Sequence, residues 1–414
     1  MTQGTQAQME LTVQAPPPQA RIEPPEKTAA AMSQWQLIRR RFMKHKLAVA
    51  GLYVLALLYL MALFAEVVVP YTPNTRNIDY GYCPPQLLRF NLSDGLHTYP
   101  MRVVIDPITF QRSYVEVREK PVPLGFFVAG QTYRLWGLLP MNWHLFGVNE
   151  TKWQVIDGRR TETLRAEETS LDLQPGAVHP VEPTFFILGA DKYGRDIFSR
   201  VIYGARVSLS VGMIGIVFTF LLGMIIGGIS GYIGGRADNV IQRGIEIINS
   251  FPHLPLWIAL AAVLPSDWSA LRIYFAITVL LSLLNWTGLA RVVRGKILAL
   301  REEDYAVAAR LLGAGHGRIL FRHLMPGFTS HIIVALTLSI PVMILGETSL
   351  SFLGLGLRPP VVSWGVMLQD AMDVKAVSVY PWLLSPVVFI VATVLCFNFL
   401  GDGLRDAADP YSAK

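Results

Sequence analysis

The chain has 414 residues, of which 52% are hydrophobic and only 16% charged, with a formal net charge of +6. Soluble domains carry about 25% charged residues, and the deficit here is concentrated in long apolar runs separated by ordinary polar stretches, the pattern of a polytopic membrane protein. The basic residues lie beside those runs and not in one Lys/Arg-rich domain, which excludes a nucleic-acid-binding chain. The two cysteines, Cys83 and Cys396, form no CxxC or Cys/His cluster, which excludes zinc, haem and iron–sulfur sites.

In chain order, residues 1–32 are rich in Gln, Ala and Pro (Pro16-Pro17-Pro18, Pro24-Pro25). Such a stretch buries too little apolar area to offset its ordering entropy and is expected to be a disordered cytoplasmic tail. Arg39-Arg40-Arg41, Lys44 and Lys46 then precede an apolar run over 47–65, extended to 69. At 1.5 Å per residue the run spans the roughly 30 Å hydrocarbon core. It is too long and starts too late for a cleaved signal peptide. Its basic flank puts the N-terminus in the cytoplasm. Residues 33–75 thus read as an N-terminal helix and a first transmembrane helix.

Residues 76–183 are too long for a simple connection. They hold strand-like Tyr114-Val115-Glu116-Val117 and an aromatic-rich stretch from Tyr133 to Phe146, with turn signals at Asp106-Pro107 and Asp157-Gly158. A small β-rich insertion outside the membrane is expected.

Five further spans are expected over 208–232, 245–264, 273–290, 331–350 and 383–400. Counting six crossings from a cytoplasmic start puts 233–244, 291–330 and the tail 407–414 inside. The loop 291–330 carries Arg291, Arg294, Lys296, Arg301, Arg310, Arg318 and Arg322, in agreement with that count. Gly223, Gly227, Gly231 and Gly235 share one face of the second span and suit close helix packing or a hinge. Pro252, Pro255 and Pro341 free backbone carbonyls within the third and fifth spans. Few ionisable groups lie at mid-membrane: Glu347 is near the outer end of the fifth span, Asp402 near the inner end of the sixth, and Asn285 in the fourth is polar but uncharged. An ion-coupled carrier would need a buried relay. No GxxxxGK[ST] occurs, so the chain holds no nucleotide phosphates of its own. Nor does a nucleophile–base pair point to an enzyme.

The loop around 302–326 is the most informative. Glu302, Glu303 and Asp304 open a helix that Gly313, Gly315 and Gly317 end, and a second short helix from Arg318 to Met325 stops at Pro326. Small Ala308 and Ala309 leave a shallow surface for a partner; an amphipathic pair lying on lipid headgroups is the equal alternative. The stretch resembles the coupling loop of ABC importer membrane subunits: EAA, three residues, Gly, nine residues, Ile-x-Leu-Pro. Ala308, Ala309, Gly313 and Pro326 match in identity and spacing, whereas Val307, His323 and Met325 depart from it. The resemblance implies that Asp304, Ala308, Ala309, Gly313, Arg318, His323 and Pro326 form an ATPase-coupling loop.

Three more segments are similar to the C-type permease subunit of dipeptide, oligopeptide and nickel importers. They are Leu188 to Arg200 (with Gly204-Ala205-Arg206), Ser351 to Gly365, and Asn398 to Pro410. The likeness covers 35–75 and 184–410 and leaves the insertion unexplained. Alternating charges at Asp191, Arg195, Asp196, Arg200 and Arg206 suit ion pairing and helix capping, or contact with a docked binding protein. Gly354, Gly356, Pro359 and Pro360 forbid a regular helix, and Trp364 suits a headgroup-level anchor. Asp191, Gly194, Arg195, Asp196, Arg200, Gly354, Gly356 and Trp364 are therefore candidates for an outer motif or gate.

The resemblance implies an all-α polytopic fold of six transmembrane helices, the type I ABC importer permease fold, with a permease core at 184–406; the small β-rich periplasmic insertion between helices 1 and 2 is expected beside it from the residues themselves. It also implies a bacterial inner-membrane location with both termini cytoplasmic. The expected partners are a second permease subunit in a heterodimer, two ABC ATPase subunits that carry ATP and Mg, a periplasmic solute-binding protein and lipid. No metal or cofactor is expected on this chain. Di- or oligopeptides are the implied solutes, with nickel, oligosaccharides or opine-like solutes as alternatives and an ion-coupled secondary transporter as the rival class.

Overall fold

The computed structural model describes residues 34–105, 108, 112–118, 121–149, 183–265 and 267–408; of residues 34, 105 and 374–376 it describes the backbone alone. The expected N-terminal tail, the Asp106-Pro107 and Asp157-Gly158 turns and the last part of the insertion lie outside the described residues.

Among the described residues five helical runs are long and apolar enough to cross a membrane: Lys46–Leu63, Ile197–Ile233, Ala270–Leu300, His316–Phe352 and Pro381–Ala408. Helix α1 (Gln34–Phe42) leads into α2 (Lys46–Leu63), whose N-cap His45 accepts from the Ala48 amide at 3.2 Å. A single turn, α3 (Ala65–Val68), follows it. The long α4 (Ile197–Ile233) starts at Asp196, which caps it by accepting from the Ser199 amide at 2.8 Å.

The expected single span over 245–264 is instead broken. Helix α5 (Gly235–Ser250) stops at Phe251, and α6 (His253–Ala261) restarts after Pro252. Proline disfavours the α conformation at the residue before it, and Phe251 is extended at φ −88°, ψ 138°. Pro255 sits in the first turn of α6, where its missing N–H is harmless. Neither piece alone is long enough to be counted among the five apolar runs.

Helix α7 (Ala270–Leu300) packs along α4 in parallel. Ser210 meets Tyr274 at 2.8 Å, the Ser282 hydroxyl donates to the Gly215 carbonyl at 3.1 Å, and Gly227 and Gly231 lie against the Ala290 and Arg294 backbones. A Cβ on Gly227 would stand 2.5 Å from the Ala290 oxygen, so the small residues set the helix separation. Gly235 does not join this stripe: it lies beyond the end of α4 at φ +58°, with nothing near it. The broken α5–α6 pair runs back along α7, with Asp238 at Arg294, Asn249 at Thr287 and Trp257 packed among Ile273, Ile277 and Leu281.

After α8 (Asp304–Leu311) the chain enters one continuous helical run. A turn over His316–Arg318 passes into a π-helical stretch, Ile319–Leu324, then a 3-10 turn, Met325–Phe328, then α9 (Thr329–Phe352). The expected helix stop at Pro326 does not occur, because Pro326 falls at the start of the 3-10 turn, where no N–H is required. Two short helices, α10 (Trp364–Gln369) and α11 (Val374–Val379), precede α12 (Ser385–Ala408). The helix therefore continues two residues into the expected C-terminal tail. The main core joins Leu55 and Leu58 of α2, Val201 and Leu209 of α4, Ile344 of α9 and Phe397 of α12.

Between α3 and α4 the described residues hold six strands: β1 (Arg89–Asn91), β2 (Gly95–Thr98), β3 (Met101–Ile105), β4 (Arg112–Glu116), β5 (Val122–Leu135) and β6 (Leu139–Val148). They form a four-stranded sheet in the order β1-β2-β5-β6 and a separate β3-β4 ribbon. The stretch read as aromatic-rich supplies the end of β5 and most of β6.

Candidate functional site

Two regions carry the residues singled out in the sequence, and they stand at opposite ends of the bundle. At one end lies α8. Its buried face is Ala306 and Ala309, which pack with Val293 and Ile297 of α7 and with Ile319, Leu324 and Phe328. Ala308 points the other way and is exposed. The shallow surface expected from both alanines is thus made by Ala308 alone, because residues one apart on a helix face different directions. The exposed face instead bears larger apolar groups, Tyr305, Leu311 at 83% exposure and Leu312 at 88%. Together these side chains form an exposed apolar patch on α8. Gly313 turns the chain at φ +83°, a conformation that L side chains rarely adopt. Asp304 stands in the first turn of α8, while Arg318 is exposed, His323 half-buried and Pro326 exposed. These residues share one end of the bundle but converge on no cavity as a group.

Beside them a cavity of about 700 Å³ opens between the end of α4 and the His316 turn, lined among others by Tyr232, Arg301, Arg310 and His316. Arg301 closes α4 by donating to the Gly231 and Tyr232 carbonyls at 3.1 and 3.4 Å.

At the other end, the charges before α4 form a buried cluster. The Arg195 guanidinium donates to Asp191 at 2.6 Å, and Arg200 stands 3.6 Å from the same carboxylate. Lys192 and Arg195 also reach Asp370, at 2.8 and 3.8 Å. Asp370 was not among the residues singled out; as the C-cap of α10 it is 179 positions from Asp191, and only folding joins them. Asp196 is fully buried as the cap of α4. Burial pushes its carboxyl up to about 7, against the hydrogen bonds from Ser199 that pull it down. Gly194 at φ +68° lies so close to the Asn77 carbonyl that no Cβ fits. The cluster is thus an ion-paired and capped joint between the start of the insertion, α4 and α10.

Trp364 corrects the sequence reading. It is fully buried, its indole donates to the Val201 carbonyl at 3.0 Å, and its amide donates to the Ser208 hydroxyl at 3.1 Å. It anchors α10 to α4 inside the protein and does not sit at headgroups. Gly354 turns the chain at φ +75°, and Gly356 lies against Ser351. The Ser351 hydroxyl accepts from the Leu357 amide at 3.0 Å and donates to Glu347 at 2.8 Å, and Ser208 donates to the other Glu347 oxygen at 3.2 Å. Glu347 is therefore a buried knot that ties α4, α9 and the segment after it. Ser351 is four residues from it on the same helix, but Ser208 is 139 positions away and only folding brings it there.

The geometry defines a class: a helical membrane protein with a built joint at one end and an exposed apolar helix at the other. Residues 220–412 match the family described as binding-protein-dependent transport system inner membrane component, and residues 33–85 match the N-terminal TM domain of oligopeptide transport permease C. The oligopeptide transport system permease protein OppC of Bacillus subtilis (strain 168) is 42% identical over 227 residues, covering 55% of this chain and 72% of that protein. The dipeptide transport system permease protein DppC of the same strain is 40% identical over 248 residues, covering 60% and 73%. The glutathione transport system permease protein GsiD of Pectobacterium atrosepticum is 40% identical over 223 residues, covering 54% and 72%. The chain belongs to the family of binding-protein-dependent transport system inner membrane components. It is a multi-pass inner-membrane permease subunit.

Proposed function

We propose that this chain is one of two permease subunits of an ATP-driven importer of di- or oligopeptides, and that α8 with the run that follows it receives the motion of an ATPase subunit. The observation that carries the coupling is the exposed Tyr305–Ala308–Leu311–Leu312 face at the end of α8. The peptide solute rests on the names of the relatives. ATP and Mg would sit on the partner subunits. ATP binding must favour one arrangement of α8 over another for the pathway to turn outward, and a solute-binding protein would deliver its cargo at the opposite end.

The same reading has the α5–α6 pair as the sixth crossing. Because α4 and α7 pack in parallel over Ser210–Gly231, about 30 Å of helix, residues 234–269 must return the same distance. Six crossings in a type I permease arrangement leave both termini, the α8 end and the basic residues Arg294, Arg301 and Arg310 on the cytoplasmic side. Residues 76–183 then lie on the periplasmic side.

The test is Leu312→Asp in the reconstituted importer. Peptide uptake and solute-stimulated ATP hydrolysis should fall together. Unchanged values for both would overturn the coupling role. Loss of uptake on adding an uncoupler at constant ATP would overturn the ATP-driven reading.

A further inference from the structure

The β5–β6 hairpin belongs to the segment that neither matched family region covers. Its path along the helices is specific. The Gln131 side chain accepts from the Thr72 amide at 3.4 Å and from the Thr75 hydroxyl at 2.8 Å. One step nearer the bundle, the His144 ring meets the Val69 carbonyl at 2.6 Å. At the hairpin's end, the Trp136 indole donates to the Leu63 carbonyl at 2.8 Å and its ring lies 5.5 Å from Phe64. The hairpin therefore descends along α3, and its tip is level with the last residue of α2. The apolar α2 is 18 residues long, about 27 Å, so its last turn marks the outer edge of the hydrocarbon core.

The tip is apolar and uncovered among the described residues: Trp136 is 49% exposed, Leu138 78% and Leu139 58%. It continues the exposed apolar side of α2, which includes Leu57, Leu60 and Leu63. The turn chemistry is a second sign. Leu138 donates its amide to the Leu135 carbonyl, and the two central residues, Trp136 and Gly137, have φ of 52° and 75°. Such a turn takes Asn or Asp before Gly most readily. Tryptophan at positive φ is a strained choice, and its place at the tip is accounted for by what the indole touches. An indole at this depth, with the exposed Arg134 one turn away for phosphate, is the side-chain set of a membrane interface.

We propose that the tip of this hairpin, Trp136 with Leu138 and Leu139, inserts into the outer-leaflet interface of the lipid bilayer and fixes the depth of the insertion against α2. The inference rests on the reading that α2 spans the membrane with Leu63 at its outer face. The occupant is phospholipid, because the tip extends a surface that lipid already covers.

The test uses the full chain in nanodiscs with Cys83 and Cys396 replaced by Ser and an environment-sensitive fluorophore attached through Leu138→Cys, Leu57→Cys or Phe126→Cys. The expected result is quenching of the Leu138 label by phospholipid carrying a shallow nitroxide, with little quenching by iodide. Phe126, nine residues up the strand, should show the reverse. Adding Trp136→Ser should shift the Leu138 label toward iodide. Iodide quenching of the Leu138 label to the level of Phe126 overturns the proposal, as does shielding from both quenchers, which would mean a protein cover. Leu57 separates the two failures: if nitroxide lipid does not quench its label, the placement of α2 is at fault.

Discussion

Arg294 of α7 grips Asp238 of α5 with two contacts of 2.6 Å, from Nε and from Nη2, each to a different carboxylate oxygen. The pair closes the α8 end of the parallel α4–α7 packing, since Ser230 of α4 also donates to Asp238. Asp238→Asn removes one charge of the pair and should lower the melting temperature of the nanodisc-embedded chain. The pair is partly open to solvent, so the cost is about 1–2 kcal/mol. An unchanged melting temperature would refute the role of the pair.

Gly227 is the tightest point of the α4–α7 contact. Gly227→Ala places a Cβ 2.5 Å from the Ala290 carbonyl oxygen and 2.8 Å from its Cα, both backbone atoms that cannot yield singly. Overpacking of this kind costs about 1–3 kcal/mol. Gly244 lies inside α5 with nothing within 4 Å, so Gly244→Ala should leave stability unchanged or raise it by about 0.5–1 kcal/mol. Thermal unfolding of the two variants side by side checks both signs.

The two faces of α8 should separate by phenotype. Ala309 is buried against Ile319 and Leu324, so Ala309→Asp buries an unpaired charge and should reduce the amount of folded chain. Leu311→Ser with Leu312→Ser alters exposed groups only and should stay within about 0.5 kcal/mol of the parent in stability, while uptake and stimulated ATP hydrolysis are lost. Gly313→Ala is intermediate, straining a φ of +83° by about 1–2 kcal/mol. Melting curves beside uptake assays distinguish these outcomes.

Glu347 receives hydroxyls from Ser208 and Ser351 while fully buried. Glu347→Ala leaves both donors without an acceptor, at a cost of about 1–3 kcal/mol. Glu347→Gln keeps one acceptor oxygen and should cost less. Limited proteolysis within 353–363 checks the assignment, with faster cleavage in the Ala variant than in the Gln variant.

Much of the α8 region is legible in one dimension because its information is local. Gly313 stands where a turn needs positive φ, and the spacing of Ala308, Ala309, Gly313 and Pro326 survives without coordinates. Which alanine faces outward is not local. It depends on Val293, Ile297 and Ile319 arriving from other segments. The break at Pro252 was available from the rule for the residue before proline, yet the apolar run over 245–264 hid it. Trp364 read as an interfacial anchor because an exposed and a buried indole are identical in sequence; the Val201 carbonyl and Ser208 hydroxyl that hold it come from α4.

Hydropathy by itself determined that this chain crosses the membrane, because lipid acts on each segment separately through its own transfer energy. The pairing of Lys192 with Asp370, of Arg294 with Asp238 and of Ser208 with Glu347, the parallel packing of α4 on α7 and the descent of the β5–β6 hairpin to Leu63 were decided only by tertiary structure. Each depends on a distance between residues far apart in the chain, and no single segment contains it.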